Sequence, residues 1–229
     1  MSGECPRFAS VVLDVDSTLT RVEGIEWLGA RRGGEVSREI DDMTRRAMEG
    51  DVPLDAVYGT RLALVCPGRD DVAALTDAYI GGTMPEAADT IARLHAAGVR
   101  VVLVSGGVRD AVVPFAETLG VDSRDVYAVS LAFTSTGQYA GFDTSSPLSR
   151  RGGKPSVVKG LGLPRPLLAV GDGSTDAELA PKAAGNAAAA DAFAAFVGVA
   201  ARASVVAVAD YVVHRLADLE GIVRGAGVT

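Results

Sequence analysis

The chain has 229 residues, 48% of them hydrophobic and 5% aromatic, with a formal net charge of −7. That hydrophobic content supports a packed core and argues against disorder. The acidic balance argues against nucleic acid or an anionic membrane as partner, because both need basic surfaces, yet it allows a small anionic substrate in a locally positive pocket.

The first element is the apolar run 11–15, a short buried strand that leads into Asp14-Val15-Asp16-Ser17-Thr18. Two carboxylates one residue apart repel each other unless a cation or a shared proton relieves them. If the strand continues, alternation puts both on one face, where one can be a nucleophile and the other, protonated, a general acid. The competing reading is an Asx-rich turn without chemistry.

Residues 21–82 then break the strand–helix rhythm. They show four helical patterns, at 24–32, 37–49, 52–66 and 70–79, with Asp51 and Pro53 opening the third and Pro67-Gly68 closing it. Gly81-Gly82 reads as a hinge. Two residues stand out in this stretch. Arg61 shares a helical stripe with Leu54, Val57, Tyr58, Leu64 and Val65, so its guanidinium either snorkels to the edge or binds a carboxylate or phosphate. Glu23 precedes the first insertion helix, either as a partner of the helix dipole or as an anchor for a substrate ammonium.

Thr83-Met84-Pro85-Glu86 reads as a capping box that opens a helix running to Gly98. A strand over 99–104 ends at Ser105-Gly106-Gly107, followed by a helix that stops at Gly120. A hydroxyl with backbone N–H groups at that junction is either an anion cradle or a tight turn that uses glycine. A strand over 126–129 precedes a β-hairpin over 131–142. Lys154 follows Gly152-Gly153, with Pro155 opening a helix. It is either a solvated surface lysine or a cation whose conflict with the helix dipole a bound anion would offset. The strand 167–170 ends at Gly171-Asp172-Gly173-Ser174-Thr175-Asp176. Asp176 suits a helix's first turn. Asp172, between glycines at a strand tip, favours a hard cation with oxygen ligands, Mg²⁺ above all. The Ala-rich 185–192 reads as a loop or weak helix, and strands follow at 193–197 and 211–213.

Cys5 and Cys66 have neither metal-like nor redox-like spacing and read as buried or incidental thiols in a reducing compartment. No h-region follows Met1, and no apolar stretch reaches membrane-spanning length, so a cytoplasmic location and no membrane partner are expected. Composition is neutral between a monomer and a homodimer.

The alternation of strands and helices predicts an α/β fold with a parallel sheet, built from residues 1–20 and 83–229. The helical insertion 21–82 would lie beside the acidic strand tip, where a lid would be. Acid pair, hydroxyl, lysine and acidic loop all fall at strand ends or helix starts, in that order.

In that order they resemble the four motifs of the haloacid dehalogenase superfamily: Asp14–Thr18, Ser105, Lys154, and Asp172 with Asp176. The resemblance is closer still to the phosphoserine phosphatase family. It is carried by Arg21-Val-Glu23-Gly24-Ile25, Met43-Thr-Arg-Arg-Ala-Met48, Arg61-Leu-Ala-Leu64, Leu103-Val-Ser-Gly-Gly107, Tyr139-Ala-Gly-Phe-Asp143, Gly152-Gly-Lys154 and Gly171-Asp-Gly-Ser-Thr-Asp176, and covers residues 8 to 225.

The resemblance implies a Rossmann-like core with helices on both faces and a small helical cap of the C1 type. It implies Mg²⁺-dependent hydrolysis of O-phospho-L-serine, the last step of serine biosynthesis, through an aspartyl-phosphate on Asp14. Asp16 would protonate the leaving oxygen and then activate water. Mg²⁺ would be held by Asp14, the backbone carbonyl of Asp16, and Asp172. Ser105, Gly106, Gly107 and Lys154 would grip the phosphate. Glu23 would hold the substrate ammonium and Arg61 its carboxylate, Met48 and Leu54 would line the cap wall, and Thr175 and Asp176 would support the metal loop. Leu54 stands where relatives often carry an aromatic residue. Another small phosphomonoester, an acceptor alcohol such as homoserine, or a non-catalytic phospho-acceptor domain remain the competing readings.

Overall fold

A computed structural model describes residues 7–49, 54–183 and 188–225; the side chains of 47–49 and 54–56 are outside that description. The chain opens with strand β1 (Ser10–Leu13), whose four residues are all buried. Helices α1 (Gly24–Ala30), α2 (Gly34–Glu49), α3 (Leu54–Val65) and α4 (Arg69–Gly81) follow. Helix α5 (Ala87–Ala96), β2 (Arg100–Val108), α6 (Arg109–Thr118) and β3 (Val126–Val129) come next. A hairpin of β4 (Leu131–Phe133) and β5 (Tyr139–Phe142) precedes α7 (Gly153–Gly160) and β6 (Leu167–Gly171). The chain ends with α8 (Ser174–Ala177), β7 (Ala192–Phe196), α9 (Ala203–Val206), β8 (Tyr211–Val213) and α10 (Asp218–Arg224).

Six strands form one parallel sheet in the order β3-β2-β1-β6-β7-β8. Every residue of β1, β6 and β7 is buried, as an apolar run must be when helices cover both faces of a parallel sheet. Among those helices α5 packs with α10, and α6 with α4. From β1 the chain winds outward to β2 and β3, and then returns to β6 on the other side of β1. That reversal opens a crevice at the carboxyl ends of β2, β1 and β6, where α/β sheets bind ligands.

Several details differ from the sequence reading. Strand β1 stops at Leu13, because the chain beyond Asp14 coils around the Val15 carbonyl, which accepts from the N–H groups of Thr18, Leu19 and Thr20. The expected capping box before α5 is absent. The Thr83 hydroxyl instead donates to the carbonyls of Ile80 (2.7 Å) and Tyr79 (3.3 Å) at the end of α4, and Glu86 caps α5 in a left-handed conformation without a side-chain bond. Strand β2 runs through Ser105 and the two glycines to Val108 rather than ending before them. Ala192 is already in β7, while the opening of the third helix at Asp51 and Pro53 lies outside the described residues. Cys66 is an exposed free thiol. Among the described residues, no helix is long and apolar enough to cross a membrane.

Candidate active site

The three strand ends at the crevice bring the predicted motifs together. The Asp14 N–H donates to the Val170 carbonyl at 3.0 Å, which places its carboxylate beside the tip of β6. Lys154, the second residue of α7, is 5% exposed, and its ammonium lies 2.7 Å from Asp14 Oδ1 and 2.6 Å from Asp176 Oδ1. So Lys154 is a buried cation, and the anions that offset its conflict with the helix dipole are two carboxylates. Burial alone would lower its proton affinity, yet Asp14 and Asp176 raise it above the ordinary lysine value.

Asp14, Asp172 and Asp176 each present an oxygen within 4.8 Å of the others, all three buried. Asp172 accepts from the Thr18 hydroxyl at 3.3 Å and pairs with Arg202. Asp176 also accepts from the Gly173 N–H at 3.0 Å. Burial and then the Asp14 charge push its carboxyl up to about 7, against the opposing pull of Lys154. Lys154 and Arg202 are the cations paired with the Asp14, Asp172 and Asp176 carboxylates. An all-oxygen donor set with excess negative charge suits a hard divalent cation.

That electrostatic frustration has a measurable consequence. Between the ordinary aspartate value of 3.8 and about 7, the folded protein holds a proton on Asp176 that the unfolded chain releases. The native state therefore binds more protons, and stability falls as pH rises through that window. Thermal unfolding of metal-free protein should give a midpoint that drops between about pH 4 and 7, and Asp176→Asn should flatten the slope.

Asp16 turns to the other side of the site. Its Oδ2 accepts from the Gly24 N–H at 3.2 Å. Burial, followed by the charges of Glu23 and Asp14, raises its pKa well above the usual carboxylate range. Asp14 and Asp16 thus line one cavity although the strand does not continue through them.

Ser105 Oγ accepts from the Gly107 N–H at 2.9 Å, so hydroxyl and backbone form a small loop at the end of β2. Gly106, with its carbonyl accepting from the Tyr58 hydroxyl at 2.8 Å, ties that loop to α3. Glu23 accepts from the Ser17 hydroxyl at 2.7 Å and stands 3.6 Å from Arg202. Burial and the charge of Glu26 raise its pKa. Arg61 is 8% exposed. Its Nη1 donates to Glu26 Oε1 (2.9 Å) and Thr44 Oγ1 (2.8 Å), while its buried Nε has no partner. The guanidinium is thus largely buried at the cavity wall and held by a carboxylate from α1.

Asp14, Asp16, Glu23, Arg61, Ser105, Gly106, Gly107, Lys154, Asp172, Thr175 and Asp176 line the same cavity. Met48 and Leu54 fall on the helices that flank it, and their side chains lie outside the described residues. Four contributors escaped the sequence reading. Tyr58 was read only as part of an apolar stripe. Glu26 and Thr44 form the triangle around Arg61, and a polar residue one turn after Glu23 was their only local signal. Arg202 comes from the N-terminus of α9, 30 residues beyond Asp172, with nothing local to mark it.

A parallel sheet with catalytic-type carboxylates at its switch point, facing a lysine across a cation-ready cluster, defines a class that works on phosphate esters or similar anions. The chain belongs to the haloacid dehalogenase-like hydrolase family, whose sequence model matches residues 11–181. It is 37% identical over 215 residues to the phosphoserine phosphatase of Bos taurus, covering 93% of this chain and 92% of the relative. It is 39% identical over 177 residues to that of Homo sapiens, covering 76% and 78%. A phosphoserine phosphohydrolase-like protein from Francisella tularensis shares the fold, with a TM-score of 0.82 at 24% identity over 93% of this chain and 99% of that one.

Proposed function

We propose that this protein hydrolyses O-phospho-L-serine to L-serine and phosphate. The carrying observation is that Arg61 and Glu23 line the same cavity as the Asp14–Lys154 pair. One cavity therefore offers a cation for a carboxylate, an anion for an ammonium and a nucleophile with a charge-neutralising lysine, the three groups of a phosphorylated amino acid.

Asp14 attacks phosphorus as the ester P–O bond breaks, and Asp16 gives its proton to the departing serine oxygen. In the second half, Asp16 takes a proton from the water that attacks the aspartyl-phosphate, which releases phosphate and restores Asp14. Burial favours the protonated form of Asp16, as this division of labour requires. Lys154 holds Asp14 in line and neutralises the transferring group, while Ser105 and the Gly106 N–H bind its oxygens and the Gly107 N–H orients the Ser105 hydroxyl. Asp14, the Asp16 carbonyl and Asp172 would hold Mg²⁺, with Asp176 and Thr175 supporting that loop; the ion would add positive charge against the phosphate. Residues 21–82 act as the cap, with Met48 and Leu54 on its wall, and closure over the crevice excludes competing water. The Tyr58–Gly106 hydrogen bond is the contact that supports this closing role.

Phosphate release should be faster from phosphoserine than from phosphothreonine, phosphoethanolamine or a sugar phosphate; equal rates would defeat the assignment. Arg61→Ala should lower kcat/KM for phosphoserine by about a hundredfold, in line with truncating one partner of a buried charge pair. For phosphoethanolamine, which has no carboxylate, the loss should be much smaller. Equal losses would make Arg61 a purely structural partner of Glu26.

A further inference from the structure

Tyr79 lies on α4, is 0% exposed and rests against Phe115 at a ring-centroid distance of 5.5 Å. A tyrosine in a packed core is ordinary, but a buried hydroxyl needs a partner. Tyr79 Oη has none of ordinary geometry, and neither has Asp16 Oδ1; both belong to a short set of buried, unpartnered polar atoms among the described residues. The two groups are neighbours, close enough for each to perturb the other's proton affinity.

Glycines leave the space for that hydroxyl. A Cβ on Gly24 would come within 2.3 Å of Tyr79 Oη and 3.5 Å of Asp16 Oδ2. A Cβ on Gly107 would come within 3.3 Å of the same hydroxyl and 3.1 Å of Ser105 Oγ. The phenol thus stands where the start of α1, the end of β2 and the Asp16 loop converge. Gly24 N–H already holds Asp16 Oδ2. A second donor would fix the plane of the carboxyl, and a neutral phenol is a donor at any pH near 7.

We infer that Tyr79 is a positioning residue for Asp16, its hydroxyl donating to the carboxyl and fixing the orientation in which Asp16 hands its proton to the leaving oxygen. The inference rests on the general-acid reading of Asp16 given above. Tyr79 itself does not line the cavity. Its contribution is geometric, and so it scales with how much the leaving group needs a proton.

The test compares kcat/KM, which reports the steps through release of the first product, for phosphoserine and p-nitrophenyl phosphate. The serine alkoxide needs a proton to leave; nitrophenolate does not. Asp16→Asn calibrates the assay and should cost far more on phosphoserine. Tyr79→Phe should lower kcat/KM at least tenfold more on phosphoserine than on the nitrophenyl ester. Gly24→Ala, whose Cβ displaces the hydroxyl, should show the same asymmetry and serves if Tyr79→Phe does not fold. Equal losses on both esters for Asp16→Asn would overturn the general-acid reading and the role of Tyr79 with it. A leaving-group-dependent Asp16→Asn beside symmetric or absent losses for Tyr79→Phe and Gly24→Ala would overturn Tyr79 alone.

Discussion

Asp14→Asn should reduce phosphoserine hydrolysis by about 10⁴-fold or more, because a nucleophile that takes the phosphoryl group has no substitute in the site. An amide oxygen is a poor nucleophile, and the neighbouring carboxylates are each held by partners of their own: Asp16 by Gly24, Asp172 by Thr18 and Arg202, Asp176 by Lys154. The fold should survive. Lys154 keeps its 2.6 Å contact with Asp176, and removing the Asp14 charge relieves one of the two causes that raise the Asp176 carboxyl. The checks are phosphate release, radiolabel from phosphoserine retained on acid-quenched protein, and the thermal midpoint. Wild type should show transient label; the variant should show none and a midpoint no lower. Label on the variant would place the phosphoryl group on another residue.

Lys154→Met should damage both stability and catalysis. The lysine is 5% exposed and sits between two buried carboxylates at 2.7 and 2.6 Å. Methionine fills much of the volume but strands both charges, and breaking a buried pair in this way costs about 3–5 kcal/mol. Proton uptake by Asp176 would offset part of that cost, so the loss should be larger at pH 8 than at pH 5. In catalysis the variant loses the cation that faces the transferring group, a change worth about 10²–10³ in kcat. Denaturant unfolding at the two pH values and steady-state kinetics at one of them would check both parts. An unchanged stability would mean that another group compensates the two carboxylates.

The contrast between these two sites bears on what a sequence can carry. Asp14, Ser105 and Asp172 were legible because each is the first polar residue after a buried apolar run, and a parallel strand delivers its last residue to one edge of the sheet. Lys154 was harder to read. Its neighbours suggest an exposed helix start, and only the docking of α7 against β2 and α8 buries it between Asp14 and Asp176. The capping box at Thr83 failed for a related reason: the hydroxyl had two suitors, and the end of α4 reaches it first.

Strand-and-helix alternation, the long helical interruption after the first strand and the placement of polar motifs at strand ends followed from local chemistry alone. Period-two and period-3.6 burial and the demands of turns act over a few residues. Which partners those polar groups meet was decided by the fold. Arg202 reaches Asp172 across 30 residues, Glu26 and Thr44 enclose Arg61 from separate helices, and the Tyr79 hydroxyl is brought near Asp16 from 63 positions along the chain. Such pairings depend on how helices dock over a crevice, and burial is what gives them force: a carboxylate beside a cation or a hydroxyl matters little in water and a great deal where water is excluded.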